Sequence, residues 1–221
     1  MGPALYLPCR SQLQPEIMEQ NSPTIFIVDD DEEVRNALQL LMQSVGLTVA
    51  CYASALEFLQ AFDASRPGCL VADIRMPGMS GIELQEQLNG EPIHPPIIFI
   101  TGHGDVPMAV RAVKAGAIDF IEKPFNDQVL LDSVHRAIQM DAKQRGEASR
   151  LSDIRERFNQ LTPREREVLN LVIAGRRNKN ISQELGITLS TVEAHRARVM
   201  EKMEADSLSH LMRMMLSLEQ G

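Results

Sequence analysis

The stretch that decides the fold is CLVADIRMPGMSGIEL, residues 69–84. An apolar run at residues 69–72 leads directly into Asp73, and the turn residues PGMSG at 77–81 separate it from an amphipathic segment. In an open α/β sheet, ligands bind outside the carboxyl ends of the strands, so a carboxylate at that point is well placed for chemistry. We therefore expect Asp73 to accept a phosphoryl group.

Apolar runs of the same kind recur along the first half of the chain. They lie at residues 24–28 (TIFIV), 47–51, 95–101 (PPIIFIT) and 117–122 (AIDFIE), and segments with the helical spacing of apolar residues separate them. Continuous hydrophobic strands that alternate with helices are typical of a parallel sheet covered on both faces. We therefore predict an α/β fold with a five-stranded, doubly wound, flavodoxin-like sheet over residues 22–127.

The sequence predicts a short helix between the second and third strands. Ser54 and Glu57 match a capping box, which opens a short helix. The spacing of Leu56, Leu59 and Phe62 indicates that these three side chains face the core.

Five functional side chains follow the predicted strands. Asp29 and Asp30 follow the first strand, Asp73 the third, Thr101 the fourth and Lys123 the fifth. Neighbouring carboxylates repel one another unless a cation neutralises them, and hard oxygen ligands suit Mg²⁺. The hydroxyl and the ammonium group at the same rim are suited to hold phosphoryl oxygens.

A polar stretch separates the two halves of the chain. Residues 139–160 are mostly polar and charged, so we predict a helical linker over residues 128–160. Sustained heptads are not present there, which argues against a coiled coil. The pattern changes at residue 161, and residues 161–221 are predicted to form an all-α domain.

Four helix starts are recognisable in this second domain. Thr162 and Glu165 form a capping box with proline in the first turn, Asn178 and Ser207 are predicted caps, and residues 190–193 (STVE) match a second capping box. A glycine-containing turn lies between the second and third helices. The order is that of a helix-turn-helix domain.

Composition restricts the class of protein. The net charge of −8 is unevenly spread: residues 22–127 hold 15 Asp and Glu against 6 Lys and Arg, whereas residues 161–221 hold 8 against 9. A neutral domain with clustered positive charges fits a nucleic-acid contact. The three cysteines have neither disulfide nor zinc spacing, and no apolar run approaches membrane-spanning length. We expect a cytoplasmic protein with no membrane contact and with a disordered tail at residues 1–21, in which Met18 is a plausible alternative start.

The first domain resembles the receiver domain of response regulators, in the version seen in FixJ-like regulators. The segments that carry the resemblance are VDDDEEVR (28–35), ADIRMPGMSGIEL (72–84) and IIFITGHGDVPMAVRAVKAGAIDFIEKPF (97–125). The resemblance implies that Asp73 is phosphorylated and that Mg²⁺ is held by Asp73 itself, by Asp30 directly, by Asp29 largely through water, and by the backbone carbonyl of Arg75.

The resemblance also implies a switch. Thr101 and Lys123 would contact the phosphoryl group, and the Lys123–Pro124 peptide bond would be cis. A sensor histidine kinase would donate the phosphoryl group, after which Thr101 would move toward it and Phe120 would rotate inward. Plain core packing is the alternative interpretation of Phe120. The face built by residues 105–125 would then form a homodimer. His103, beside this site, is expected to be a solvated loop residue.

The second domain resembles the LuxR-type helix-turn-helix domain, through LTPREREVL, NKNISQELGI and STVEAHRARVMEKM within residues 161–207. The resemblance makes residues 190–203 the recognition helix in the major groove of double-stranded promoter DNA. Arginine can read guanine, and alanine can meet a thymine methyl group. Glu193 is left open between a helix cap and a base contact. The candidate DNA-binding residues are Lys179, Thr191, Glu193, Ala194, Arg196, Ala197, Arg198 and Lys202.

The sequence therefore predicts a two-component transcription regulator whose partners include RNA polymerase. Its only enzymatic activity would be its own phosphoryl transfer and dephosphorylation. A metal-dependent phosphotransferase or phosphatase that uses Asp29, Asp30 and Asp73 is the alternative from another class. A regulator that works without phosphorylation is a third possibility, against which the intact acidic site argues.

Overall fold

The structure is a computed structural model that describes residues 22–91, 93–102 and 106–220. The expectations for the tail at residues 1–21 and for His103 lie outside the described residues. The chain divides into two compact units, Met1–Arg145 and Gly146–Gly221.

The first unit contains five strands: β1 (Thr24–Val28), β2 (Thr48–Tyr52), β3 (Gly68–Asp73), β4 (Ile97–Thr101) and β5 (Asp119–Glu122). They form one parallel sheet in the order β2-β1-β3-β4-β5. This confirms the predicted doubly wound sheet, in which the second strand lies at one edge and the first and third strands are neighbours.

Helices cover both faces of the sheet, because successive strand residues point to opposite sides. Phe26 and Val28 belong to the core on one face, whereas Ile25 and Ile27 belong to the core on the other. The helices are α1 (Glu32–Ser44), α2 (Ala55–Ala61), α3 (Gly81–Leu88), α4 (Val106–Lys114) and α5 (Asp127–Asn159). The first of these cores includes side chains from α2, α3 and α4, and the second includes side chains from α1 and α5.

The predicted inward face of α2 is wrong at Leu56. Ser54 caps this helix as expected, with its side chain accepting from the Glu57 N–H group. Ala55 and Phe58 are buried, however, whereas Leu56 is 57% exposed. The reason is tertiary: Phe58 packs edge-on against Phe26 of β1, and that contact determines which face of the short helix turns inward.

The predicted boundary between the first domain and the linker, at residue 127, differs from the packing. Leu130 and Val134 on α5 are buried in the core of the first unit. Further along, the Asp141 carboxylate is 2% exposed and accepts from the Gly68 N–H group at 2.9 Å and from Arg145 Nε at 2.8 and 2.9 Å. Arg145 also donates to two backbone carbonyl groups, those of Ala64 and Arg66. The first 19 residues of the 33-residue helix thus pack as part of the first unit.

The second unit contains the four predicted helices of the helix-turn-helix domain. They are α6 (Pro163–Ile173), α7 (Asn178–Leu185), α8 (Leu189–Lys202) and α9 (Leu208–Gln220). Gly186 ends α7 in the left-handed conformation, with φ of 64°, and the Ile187 N–H group and carbonyl both bond to Ser182, which closes the turn before α8. Thr162 and Glu165 form the predicted capping box.

Two of the predicted helix starts in this unit are wrong. Arg177, not Asn178, precedes α7, and the Asn178 side chain accepts a hydrogen bond from Arg196 instead. Helix α8 begins earlier than residue 190, because Thr188 caps it by accepting from the Thr191 N–H group. Glu193 therefore does not occupy the third position of a capping box, and its side chain is exposed.

We expect Asp141→Ala to lower the free energy of unfolding of the first unit by about 3 kcal/mol, because it leaves Arg145 without its buried partner. Chemical denaturation monitored by circular dichroism measures this. Asp132→Ala is the matched control: Asp132 is an exposed acid on the same helix, and its loss should change stability by less than about 0.5 kcal/mol. Equal effects of the two substitutions would contradict the role of Asp141.

Candidate functional site

The strand order brings the predicted acidic residues to one rim of the sheet. Val28 pairs with Ala72, so Asp29 and Asp73 leave adjacent strands side by side. Both are buried, with 2% and 8% exposure. Lys123 follows β5, and its Nζ atom lies 2.9 Å from Asp29 Oδ2 and 3.5 Å from Asp73 Oδ1. Thr101 is buried and is the last residue of β4, the strand that lies between β3 and β5.

The surroundings of Asp73 disfavour its charged form. Burial raises the pKa of the Asp73 carboxyl above its ordinary value, although a hydrogen bond from the Arg75 N–H group (2.8 Å to Oδ2) and the Lys123 ammonium group act in the opposite direction. The neighbouring Asp29 carboxylate adds to the rise in pKa. A cation at this rim therefore relieves a real electrostatic cost.

The donor chemistry at the rim fits a hard divalent cation. Asp30 is exposed and lines a cleft of about 930 Å³ together with Arg75 and with Ile74, the residue that follows Asp73. Within the described ranges, no group of three or more His, Cys, Asp or Glu side chains is already arranged around a metal position. Lys123 instead supplies the positive charge between Asp29 and Asp73.

Gly81 belongs to the site through its backbone, although its sequence pattern indicated only a turn. A Cβ atom at this position would lie 2.4 Å from the Asp73 carbonyl oxygen and 2.9 Å from the Phe99 ring. Its N–H group donates to the Ile74 carbonyl at 2.9 Å. The start of α3 can approach the Asp73 loop this closely only with glycine, and the second glycine of PGMSG was the available signal.

The predicted switch residues lie at the edge of the core next to an exposed helix. Phe120 is half-buried against the core that contains Phe99, and the Lys123–Pro124 bond is cis, as the resemblance implied. On α4, three valines at helical spacing are exposed: Val106 at 76%, Val110 at 47% and Val113 at 54%. An apolar stripe of this kind on a surface is typical of an interaction site.

The structure divides the candidate DNA-binding residues into two groups. Arg196 Nη1 donates to Asn178 Oδ1 at 2.6 Å, and Lys202 Nζ pairs with Glu165 Oε2 at 2.7 Å, so both contribute to the fold. The Thr191 hydroxyl pairs with the Thr188 hydroxyl at 2.7 Å. The others are exposed: Lys179 on α7, and Glu193, Ala194, Ala197 and Arg198 on α8.

The buried Glu165 anchors the second unit. It is 2% exposed, closes the capping box of α6 and pairs with Lys202 on α8. The hydrogen bond from Lys202, together with bonds from Thr162, lowers the pKa of Glu165 to about 2. Ionised Glu165 thus stabilises the fold fully above the ordinary carboxyl pKa, and this stabilisation is lost as the pH falls toward about 2.

Comparisons with known proteins agree with this architecture. Residues 25–135 match the family described as response regulator receiver domain, and residues 159–215 match bacterial regulatory proteins of the luxR family. Transcriptional regulatory protein FixJ of Rhizobium meliloti is 49% identical over 194 residues, covering 88% of this chain and 95% of FixJ. Response regulator protein TodT of Pseudomonas putida is 45% identical over 208 residues, covering 93% and 90% of the two chains.

Solved structures of response regulators are also similar to this chain. The structure of response regulator StyR aligns with a TM-score of 0.81 at 47% identity, covering 88% of this chain and 98% of StyR. Full-length FixJ from B. japonicum aligns with a TM-score of 0.54 at 41% identity, covering 91% and 99%.

The sheet and its acidic rim define the first unit as a receiver domain. The chain as a whole belongs to the response regulators that join a receiver to a luxR-family DNA-binding domain. It is therefore a two-component transcription regulator that works with a sensor kinase and binds DNA, and it is not a metabolic enzyme. Receiver domains generally depend on Mg²⁺ for phosphorylation. In the described part of the chain, no helix has the length and apolar character needed to cross a membrane.

We expect Asp73→Asn to raise the thermal unfolding midpoint near neutral pH without Mg²⁺. Because the folded-state pKa of Asp73 is raised, its contribution to stability is present only at low pH and is lost as the pH rises through that pKa. The gain from the substitution should therefore shrink on acidification, which differential scanning fluorimetry measures.

Asp63→Asn is the control for this measurement. Asp63 is exposed, and its hydrogen bond with Ser65 lowers its pKa, so its loss should give no gain near neutral pH. A loss of stability in Asp73→Asn at neutral pH would contradict the dominant effect of burial.

Proposed function

We propose that Asp73 is the phosphoryl acceptor of this regulator and that its phosphorylation by a sensor histidine kinase produces a dimer that binds promoter DNA. The observation that carries the proposal is the Asp73 carboxylate at the rim of the sheet, 3.5 Å from Lys123 Nζ. Asp73 is a buried acid with one cationic neighbour, and the two residues that follow it line an open cleft, which suits an acceptor that a donor protein must reach.

The contacts of Asp73 support a particular route of transfer. The Arg75 N–H group holds Oδ2 at 2.8 Å, which leaves Oδ1 as the attacking oxygen. Oδ1 forms the new bond to phosphorus while the P–N bond to the kinase histidine breaks and the imidazole leaves. Lys123 and Thr101 are the groups suited to hold the phosphoryl oxygens. Phosphoryl transfer requires mainly positioning and charge neutralisation.

We assign Asp29, Asp30, Asp73 and the Arg75 backbone carbonyl as the residues that hold Mg²⁺. The carboxylate and carbonyl oxygens at this rim are the donors that Mg²⁺ prefers. When bound, Mg²⁺ supplies neutralisation of the charge on the phosphoryl oxygens. Lys123 is paired with Asp29 and Asp73, and an incoming phosphoryl group offers it a further anionic partner.

Dimerisation is assigned to the face that carries α4. Movement of Thr101 toward the phosphoryl group would open space into which the half-buried side chain of Phe120 could rotate. The valine stripe of α4 (Val106, Val110 and Val113) gives a second copy an apolar surface to cover. Burial of apolar surface is the main favourable contribution to association.

The exposed side of α8 is assigned to the major groove. All four of its candidate residues are exposed. Arg198 would bond to guanine or to a phosphate, Glu193 would accept a hydrogen bond from cytosine, and Ala194 and Ala197 would pack against thymine methyl groups. Lys179 on α7 is assigned to phosphate contact. Arg196 and Lys202, which bond within the domain, would act by fixing α8. Recruitment of RNA polymerase and a cytoplasmic location belong to the same proposal.

The proposal is tested by adding acetyl phosphate and Mg²⁺ to the purified protein. Light scattering should then show a monomer becoming a dimer, and operator binding should tighten at least about tenfold, as is typical of coupling through a conformational switch. Intact-mass analysis should show one added phosphoryl group.

Two variants give this experiment its controls. Asp73→Asn should remain unlabelled and monomeric. Val110→Glu should be labelled normally and yet fail to dimerise, because it places a charge in the apolar stripe. Labelling of Asp73→Asn as efficiently as the parent would refute the acceptor assignment, and dimerisation of Val110→Glu would refute the α4 face.

Two basic residues on α8 should separate DNA contact from folding. Arg198→Ala should weaken operator binding by about 1–3 kcal/mol at an unchanged unfolding midpoint, because its side chain is exposed. Lys202→Ala should instead lower the unfolding free energy of the second unit by about 2 kcal/mol, since it leaves the buried Glu165 without its charged partner. Fluorescence anisotropy measures operator binding, and calorimetry measures stability. The assignment would be contradicted if Arg198→Ala lowered stability while Lys202→Ala weakened operator binding at unchanged stability.

A further inference from the structure

Arg35 has a contact that neither the receiver resemblance nor the proposed mechanism uses. This half-buried residue lies in the first turns of α1, and its Nη1 atom donates a 2.7 Å hydrogen bond to the main-chain carbonyl of Asp29. The contact reaches back six residues, from the helix to the end of β1. Because the donor is charged, the hydrogen bond is stronger than a neutral one.

The contact completes a set of bonds around the loop that carries the acids. The Asp29 N–H group donates to the Tyr52 carbonyl at 3.3 Å, and the Asp31 N–H group donates to Asp29 Oδ1 at 2.9 Å. Asp31 also caps α1, and its carbonyl accepts from the Arg35 N–H group at 3.0 Å. Arg35 therefore joins the beginning of the helix to the end of the strand, on both sides of Asp30.

The geometry of the peptide unit shows what this contact controls. The Asp29 carbonyl belongs to the planar peptide unit that also contains the nitrogen and Cα atoms of Asp30. A bond that fixes the direction of this carbonyl therefore fixes the plane from which the Asp30 side chain leaves. Asp30 is exposed, so burial does little to hold its side chain.

We propose that Arg35 is a positioning residue for the divalent cation: through the Asp29 carbonyl, it orients the peptide plane that presents the Asp30 carboxylate. The inference rests on the proposed function, in which Asp30 is a ligand of Mg²⁺. Residues that orient metal ligands from outside the coordination sphere commonly change metal affinity by one to two orders of magnitude (about 10–100-fold).

Charge and positioning predict opposite results for Arg35, which makes the inference testable. A guanidinium group near the site repels Mg²⁺, so removal of its charge alone would tighten binding. Loss of its hydrogen bond would instead release the Asp30 loop and weaken binding. Arg35→Met retains much of the apolar stem and removes both the charge and the donor, so the direction of the change separates the two effects.

The measurement is isothermal titration of Mg²⁺ into the full chain, without a phosphodonor. We expect Arg35→Met to raise the Kd for Mg²⁺ at least about fivefold, and Arg35→Lys, which retains a charged donor, to fall between the parent and Arg35→Met. Arg66→Met is the matched control. Arg66 is a half-buried arginine at the opposite end of β1, where it contacts the Thr24 hydroxyl at 3.3 Å and covers the Phe26 ring.

Each result then has one meaning. A raised Kd in Arg35→Met together with a parental Kd in Arg66→Met supports the inference. An unchanged or lowered Kd in Arg35→Met, or an equal rise in Arg66→Met, overturns it. If Arg35→Met does not fold, Arg35→Ala, which also removes the donor, takes its place: a parental Kd overturns the inference and a raised Kd supports it. Failure of the parent chain to be labelled by acetyl phosphate would refute the proposed function instead.

Discussion

The ammonium group of Lys123 is the contact on which the receiver site depends. Its Nζ atom lies 2.9 Å from the buried Asp29 carboxylate and 3.5 Å from that of Asp73, and it reaches them along the same rim from the edge strand β5. Two buried acids on adjacent strands would otherwise repel each other, which disfavours ionisation of both. Lys123 does not fully offset the effect of burial, which still raises the pKa of Asp73. A further cation at the rim would therefore stabilise the charged carboxylates.

The same principle organises the rest of the molecule: a charge is buried where it joins segments distant in sequence. Asp141 joins α5 to the beginning of β3 through Gly68 and Arg145. Glu165 joins α6 to α8 through Lys202. Each ion pair uses a charged residue that could otherwise be taken for a surface or ligand-binding group. The exposed charges that remain, such as Asp30 and Arg198, are those available to a ligand or to DNA.

Much of the fold and of the site was predictable from the sequence, because both depend on local patterns. Apolar runs that end in a functional residue fixed the strands, and the identity of the residue after each run indicated the chemistry at the rim. At Ser54 only the cap itself formed, because the Glu57 carboxylate accepts from the Ala53 N–H group and does not complete the box. The capping box at Thr162 was predicted correctly because its hydrogen bonds lie within one helical turn. The start of α8 was not, because Thr188, Ser190 and Thr191 offered competing hydroxyl groups within four residues.

The sequence alone determined the parallel sheet, the helix-turn-helix domain and the five side chains at the rim, since hydrophobic periodicity and strand ends are readable without contacts. Tertiary structure decided which face of α2 is buried, how far α5 belongs to the receiver, and which basic residues of α8 are used internally. It also decided that Gly81 must lack a side chain and that Arg35 binds the Asp29 carbonyl. These outcomes depend on partners far away along the chain, and a pattern of neighbouring residues carries no information about such partners.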